Sequence, residues 1–117
     1  MNVWIIDDNE DLLTLLKLAL ADLNWDLYTF SSGSQVLKSL AHSEVAPDVV
    51  AIDWTLPDWP AIPLMEHIVR EYPSARLIVM SGDSRAQERV PKNVYWLSKP
   101  FHLQVFQQLI QDVAAKI

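Results

Sequence analysis

Five short apolar runs punctuate the chain, and the residues between them repeat with the period of a helix. The runs are Val3-Trp4-Ile5-Ile6, Trp25 to Phe30, Asp48 to Asp53, Arg76 to Met80 and Val94-Tyr95-Trp96-Leu97. A run that is apolar throughout, rather than at alternate positions, predicts a strand covered on both faces, as in the parallel sheet of an α/β protein. After Asn9, a residue suited to an N-cap, Leu12, Leu15, Leu16, Ala19 and Leu23 recur at three-and-four spacing and predict an amphipathic helix packed on the sheet. Leu13 and Leu20 lie beyond that stripe and widen it, as a broad core face or else a docking face for a partner.

Ser31-Ser32-Gly33-Ser34 reads as a turn into a short helix carrying Val36, Leu37 and Leu40. Pro63 suits the first turn of a helix bearing Leu64, Met65 and Ile68, and Pro73 ends it. The segment from Asp83 to Arg89 is polar apart from Ala86, so a helix there is short. Leu103, Phe106, Ile110 and Val113 define the last helix. Strands alternating with helices over short connections predict a doubly wound five-stranded parallel sheet with helices on both faces. Residues 1–117 are expected to form one domain.

Composition narrows the chemistry. A formal net charge of -6 argues against direct binding to nucleic acid or an anionic membrane surface. The absence of cysteine removes thiol catalysis and thiolate metal sites. No apolar run is long enough to span a bilayer, so a cytoplasmic location is expected. His42, His67 and His102 lack metal-ligand spacing and read as surface or packing residues, whereas Trp4 and Trp25 read as core.

Ligands of parallel sheets sit beyond the carboxyl ends of the strands. The first run ends in Asp7-Asp8, the third in Asp53 and the fourth at Ser81, while Lys99 closely follows the fifth. Each residue alone is ordinary, a turn or cap carboxylate or a surface group. Together at one sheet edge, three carboxylates repel unless a cation joins them, and a hard set of oxygen ligands suits Mg²⁺. A hydroxyl and an ammonium opposite the cation would neutralise a phosphoryl group.

On the Ile5-Ile6-Asp7-Asp8 run, Ile52-Asp53 with Pro57 four residues on, Met80-Ser81-Gly82 and Lys99-Pro100-Phe101, the chain resembles the receiver domains of two-component response regulators along nearly its whole length. The resemblance implies a flavodoxin-like (βα)5 fold, here with its fourth helix short or poorly formed. It implies that Asp53 is the phosphoacceptor, that Asp8 ligates Mg²⁺ directly and Asp7 largely through water, and that the backbone carbonyl of Thr55 is a further ligand. Ser81 would donate to one phosphoryl oxygen and Lys99 pair with another; Ser81 and Trp96 take the positions of the conformational switch, and the Lys99-Pro100 peptide would be cis. The phosphoryl group would come from a histidine kinase or a histidine phosphotransfer protein, and the output would pass to an effector domain or partner protein. Such a domain catalyses only its own phosphorylation and dephosphorylation.

The chain departs from the family pattern at several points. Serine stands at position 81 where threonine is commoner, Trp96 is larger than the usual aromatic, and the loop Asp58-Trp59-Pro60-Ala61 lacks the family's glycines. The interval from Ser81 to Lys99 is short and contains Pro91, which leaves little apolar surface there for a dimer partner. An aspartate-nucleophile phosphatase would need a second acid where Thr55 stands, and a nucleotide- or flavin-binding domain would need a glycine-rich loop after the first strand. A pseudo-receiver that binds a partner without phosphorylation is the remaining alternative.

Overall fold

The computed structural model describes residues 1–42 and 45–117. Its elements run β1 (Asn2–Ile6), α1 (Glu10–Ala19), β2 (Asp26–Phe30), α2 (Gly33–His42), β3 (Val49–Asp53), α3 (Ala61–Glu71), β4 (Arg76–Ser81), β5 (Tyr95–Ser98) and α4 (Leu103–Ala114). The strands form one parallel sheet in the order β2-β1-β3-β4-β5. All five residues of β3 are buried, as its continuous apolar run predicts for a central strand.

Period-two alternation sorts the strand residues between two cores. Val3, Ile5, Val49, Ala51, Ile78, Met80 and Leu97 meet Leu13, Leu16 and Leu20 around α1 and Phe106, Ile110 and Val113 of α4. On the other face, Trp4, Ile6, Val50, Ile52 and Val79 meet Val36 of α2 and Leu64, Met65 and Ile68 of α3. Trp4 is fully buried against Phe30 and Tyr72. Trp25, expected in the core, is half-buried just before edge strand β2 and packs against the first core only from its rim.

The core stripe of α1 is centred differently from the expected one. Leu13, Leu16 and Leu20 are buried, Leu12, Ala19 and Leu23 pack at their margin, and Leu15 turns out to solvent at 46% exposure. The triplet at i, i+3 and i+7 takes the sheet, so Leu13 and Leu20 are core and not a surplus face. Asn9 caps the helix as expected, its side chain accepting from the Leu12 N–H at 3.1 Å.

After β4 the place of the fourth helix is taken by a six-residue 3₁₀ segment, Ser84–Arg89, which buries only Ala86. Its polar sequence gives no apolar stripe, and 3₁₀ geometry is how short helical pieces are usually made. Between α3 and the residues that follow this segment is a hollow of about 400 Å³ bordered by Ile62, Met65, Val69, Leu77, Pro91 and Val94. The Lys99-Pro100 peptide is cis, as expected.

Candidate functional site

Strand parity and register assemble the site. Asp7 continues the Val3, Ile5 series, Asp53 the Val49, Ala51 series and Lys99 follows Leu97, so all three belong to the α1/α4 side of the sheet at its carboxyl edge. Asp53 is in register with Met80, and Ser81 extends β4 by one more residue. The Asp7 N–H donates to the Phe30 carbonyl at 3.0 Å and the Trp54 N–H to the Met80 carbonyl at 2.8 Å, so the sheet ladder holds the backbone at both carboxylates.

The side chains converge. Asp7, Asp8 and Asp53 each bring a carboxylate oxygen to within 4.8 Å of the others. Asp7 is fully buried: one oxygen accepts the Asn9 N–H at 2.9 Å, the other the Lys99 ammonium at 2.6 Å. Lys99 Nζ also stands 3.5 Å from Asp53 Oδ1, which accepts the Thr55 N–H at 3.2 Å. Asp8 is exposed and gives the cluster its solvent side. Ser81 is buried, with its Oγ accepting the Asp83 N–H at 2.9 Å, which leaves its own proton free to donate elsewhere.

Burial pushes the Asp53 carboxyl up to about 6, and the neighbouring negative charge of Asp7 adds to the rise, with a smaller push from Asp8; the Thr55 N–H and the Lys99 charge act the other way. Partial burial works against the Lys99 charge, yet the Asp7 hydrogen bond and the two carboxylates outweigh it and hold Lys99 above its ordinary range. Asp53 is thus an acid whose ionised form is poorly compensated by protein groups alone. That is the condition under which a divalent cation binds a carboxylate cluster well, and the all-oxygen donor set fits Mg²⁺.

A family model described as the response regulator receiver domain matches residues 3–111. The chain belongs to this family. The receiver domain is 30% identical over 105 residues to the DNA-binding transcriptional regulator NtrC of Escherichia coli (strain K12), covering 86% of this chain and 22% of that protein. It is 32% identical over 88 residues to the transcriptional regulatory protein KdpE of Mycobacterium tuberculosis (strain CDC 1551 / Oshkosh), covering 75% of this chain and 38% of that one. The chain therefore spans well under half the length of these relatives. A response regulator receiver protein from Sinorhizobium medicae WSM419 shares the fold with a TM-score of 0.85 at 18% identity, over 98% of this chain and 94% of that one. These findings favour a two-component receiver over the phosphatase and nucleotide-binding readings.

Two other expected positions lie nearby. Thr55 is exposed in the loop that leaves β3, and an antiparallel bridge to Pro60 closes that loop at its base. Trp96 is half-buried, and its indole N–H donates to the Ser98 hydroxyl at 2.7 Å. Two features of the site region escaped the sequence reading. Arg89 stacks its guanidinium 5.3 Å from the ring centroid of Trp54, the residue after Asp53. Asp58, read only as part of a loop, accepts three hydrogen bonds from the start of α2. Nothing in residues 54–60 signals such a long-range cap; the nearest hint is the serine and glycine turn at 31–34, whose backbone N–H groups need acceptors.

Proposed function

We propose that Asp53 accepts a phosphoryl group with Mg²⁺ held by Asp7, Asp8, Asp53 and the Thr55 carbonyl, and that residues 1–117 act as the phosphorylated input module of a two-component pathway. The observation that carries this reading is the convergence of three carboxylates and Lys99 around a buried Asp53. When bound, Mg²⁺ supplies charge neutralisation for both the carboxylates and the phosphoryl oxygens. Asp53 Oδ attacks phosphorus in line, an acyl phosphate P–O bond forms as the P–N bond to the donor imidazole breaks, and the imidazole leaves. Lys99 pairs with one phosphoryl oxygen and the Ser81 hydroxyl donates to another.

The donor is a histidine kinase or histidine phosphotransfer protein, and the regulators NtrC and KdpE support an output through an attached effector domain or partner protein. Catalysis extends only to the domain's own phosphorylation and dephosphorylation. Among the described residues no helix is long and apolar enough to cross a membrane, which accords with a cytoplasmic place for the reaction.

The test is intact mass after incubation with acetyl phosphate and Mg²⁺. The wild type should gain one phosphate, and Asp53→Asn should gain none. A wild-type mass unchanged at saturating donor would instead favour a pseudo-receiver that binds its partner without phosphorylation.

A further inference from the structure

We propose that Asp58 is a positioning residue for the phosphoacceptor loop, fixing from α2 the backbone that carries the Thr55 carbonyl; this deepens and rests on the function proposed above. The loop of residues 54–60 leaves β3 directly after Asp53 and reaches α3 at Pro60, its N-cap residue. It has no glycine, and Asn24 is the one non-glycine residue at positive φ among the described residues, so the loop takes no left-handed turn. Its path is set by where it is tied.

One tie is at its base, where Thr55 bridges Pro60. The other is at its tip. Asp58 Oδ1 accepts the Gly33 N–H at 2.9 Å, and Oδ2 accepts the Ser34 N–H at 2.9 Å and the Ser34 hydroxyl at 2.8 Å. These bonds, led by that from the Ser34 hydroxyl, hold the Asp58 carboxyl below its usual range and keep it an acceptor at neutral pH. The helix already has a local cap, because the Ser32 hydroxyl accepts the Gln35 N–H at 3.2 Å. Asp58 adds acceptors for the Gly33 and Ser34 N–H groups, and the same three bonds pin the loop.

The packing agrees. Trp59 lies against Gly33 so closely that a Cβ built there would come within 2.6 Å of the Trp59 Cβ. Glycine at that position lets the loop tip settle directly over the first turn of α2, while the far side of Trp59 meets His67 edge-on. Tip and base together leave the short stretch between them, with Thr55 at one end, little freedom to move.

The experiment compares Asp58→Ala and Ser34→Ala with Leu40→Ala, which loosens the packing of α2 on the core and removes none of the hydrogen bonds to Asp58. Mg²⁺ affinity is measured by calorimetry, loop order by amide exchange at Thr55 and Leu56, and phosphate uptake from acetyl phosphate as a function of Mg²⁺. Asp58→Ala should weaken Mg²⁺ binding about tenfold, the low end of losses seen when a group supporting a metal ligand is removed. It should speed exchange at Thr55 and Leu56, with phosphorylation recovering at saturating Mg²⁺. Ser34→Ala should show a smaller effect of the same kind. Leu40→Ala should lower the melting temperature and leave Mg²⁺ affinity unchanged. Wild-type affinity and exchange in Asp58→Ala, or an equal loss of affinity in Leu40→Ala, would overturn the proposal. A wild type that takes neither Mg²⁺ nor phosphate would refute the phosphoacceptor reading instead, and the Asp58 assignment would then stand or fall on exchange at Thr55 and Leu56 alone.

Discussion

Replacing Asp53 with asparagine should make the metal-free domain more stable at neutral pH and leave it unchanged in acid. Asparagine keeps the oxygen that accepts the Thr55 N–H but removes the charge. With its pKa raised from 3.8 to about 6, the folded state binds the Asp53 proton more tightly than the unfolded chain does. Stability therefore falls as pH rises from about 4 to about 6 and levels off above that, since ionised Asp53 is the costly form. A shift of roughly two units sets an upper bound of about 3 kcal/mol on the cost. Lys99 loses one of its two partners in the variant, but its 2.6 Å bond to Asp7 remains. A net gain of about 1–2 kcal/mol, or roughly 4–8 °C in melting temperature, is the result to expect at pH 7.5.

The assay is thermal and urea unfolding of wild type and Asp53→Asn in EDTA between pH 4 and 8. The curves should meet near pH 4 and separate through pH 6. Saturating Mg²⁺ should stabilise the wild type by mass action and narrow the gap, because the variant lacks one of the proposed ligands. Parallel pH profiles, or a variant less stable than wild type at pH 7.5, would refute the claim that uncompensated negative charge surrounds Asp53.

Gly33→Ala should cost about 1–3 kcal/mol in urea unfolding, the usual range for overpacking, because the new methyl meets the Cβ of Trp59 and not a movable side-chain end. Lys99→Met should abolish phosphate uptake by intact mass. It should also destabilise the metal-free fold by about 2 kcal/mol or more, because buried Asp7 loses its ion partner. Calorimetry on that variant should show Mg²⁺ binding no weaker than wild type, since a competing cation has gone. Light scattering at micromolar concentration should show no tight dimer on adding beryllofluoride; a dimer that is lost on substituting residues between Asp83 and Trp96 would refute this.

Most of the site is legible in the sequence because it follows from two local rules. Continuous apolar runs mark the strands, and a carboxylate or hydroxyl just past each run must fall at the same sheet edge once the strands are parallel. Asp7, Asp53 and Ser81 follow from that alone, and Lys99 needs only one more residue of chain. What could not be read depends on distance in sequence. The centre of the α1 stripe is one residue away from the expected one because the apolar residues between Leu12 and Leu23 fill more than half the helix circumference, and only the shape of the sheet selects Leu13, Leu16 and Leu20. Asp58 and Gly33 are 25 residues apart, and neither announces the other.

The shortened segment after β4 separates the parts of the molecule that hold charge from those available for output. Among the described residues, the large hydrophobic side chains most exposed to solvent are Met1, Leu15, Leu18, Tyr28, Val45, Val69, Val105 and Ile117, and none lies between Asp83 and Trp96. A 3₁₀ turn that buries only Ala86 gives a partner no helix face to pack on. That same turn places Arg89 over Trp54, next to Asp53 in the chain, so it is coupled to the end of β3 through a cation-π contact worth about 1 kcal/mol. A coupling of that size shifts a two-state equilibrium several-fold at most. The Arg89–Trp54 contact is therefore a weak lever by itself, and any stronger coupling of this segment to the site has to run through its other end, where the Asp83 N–H donates to the Ser81 hydroxyl.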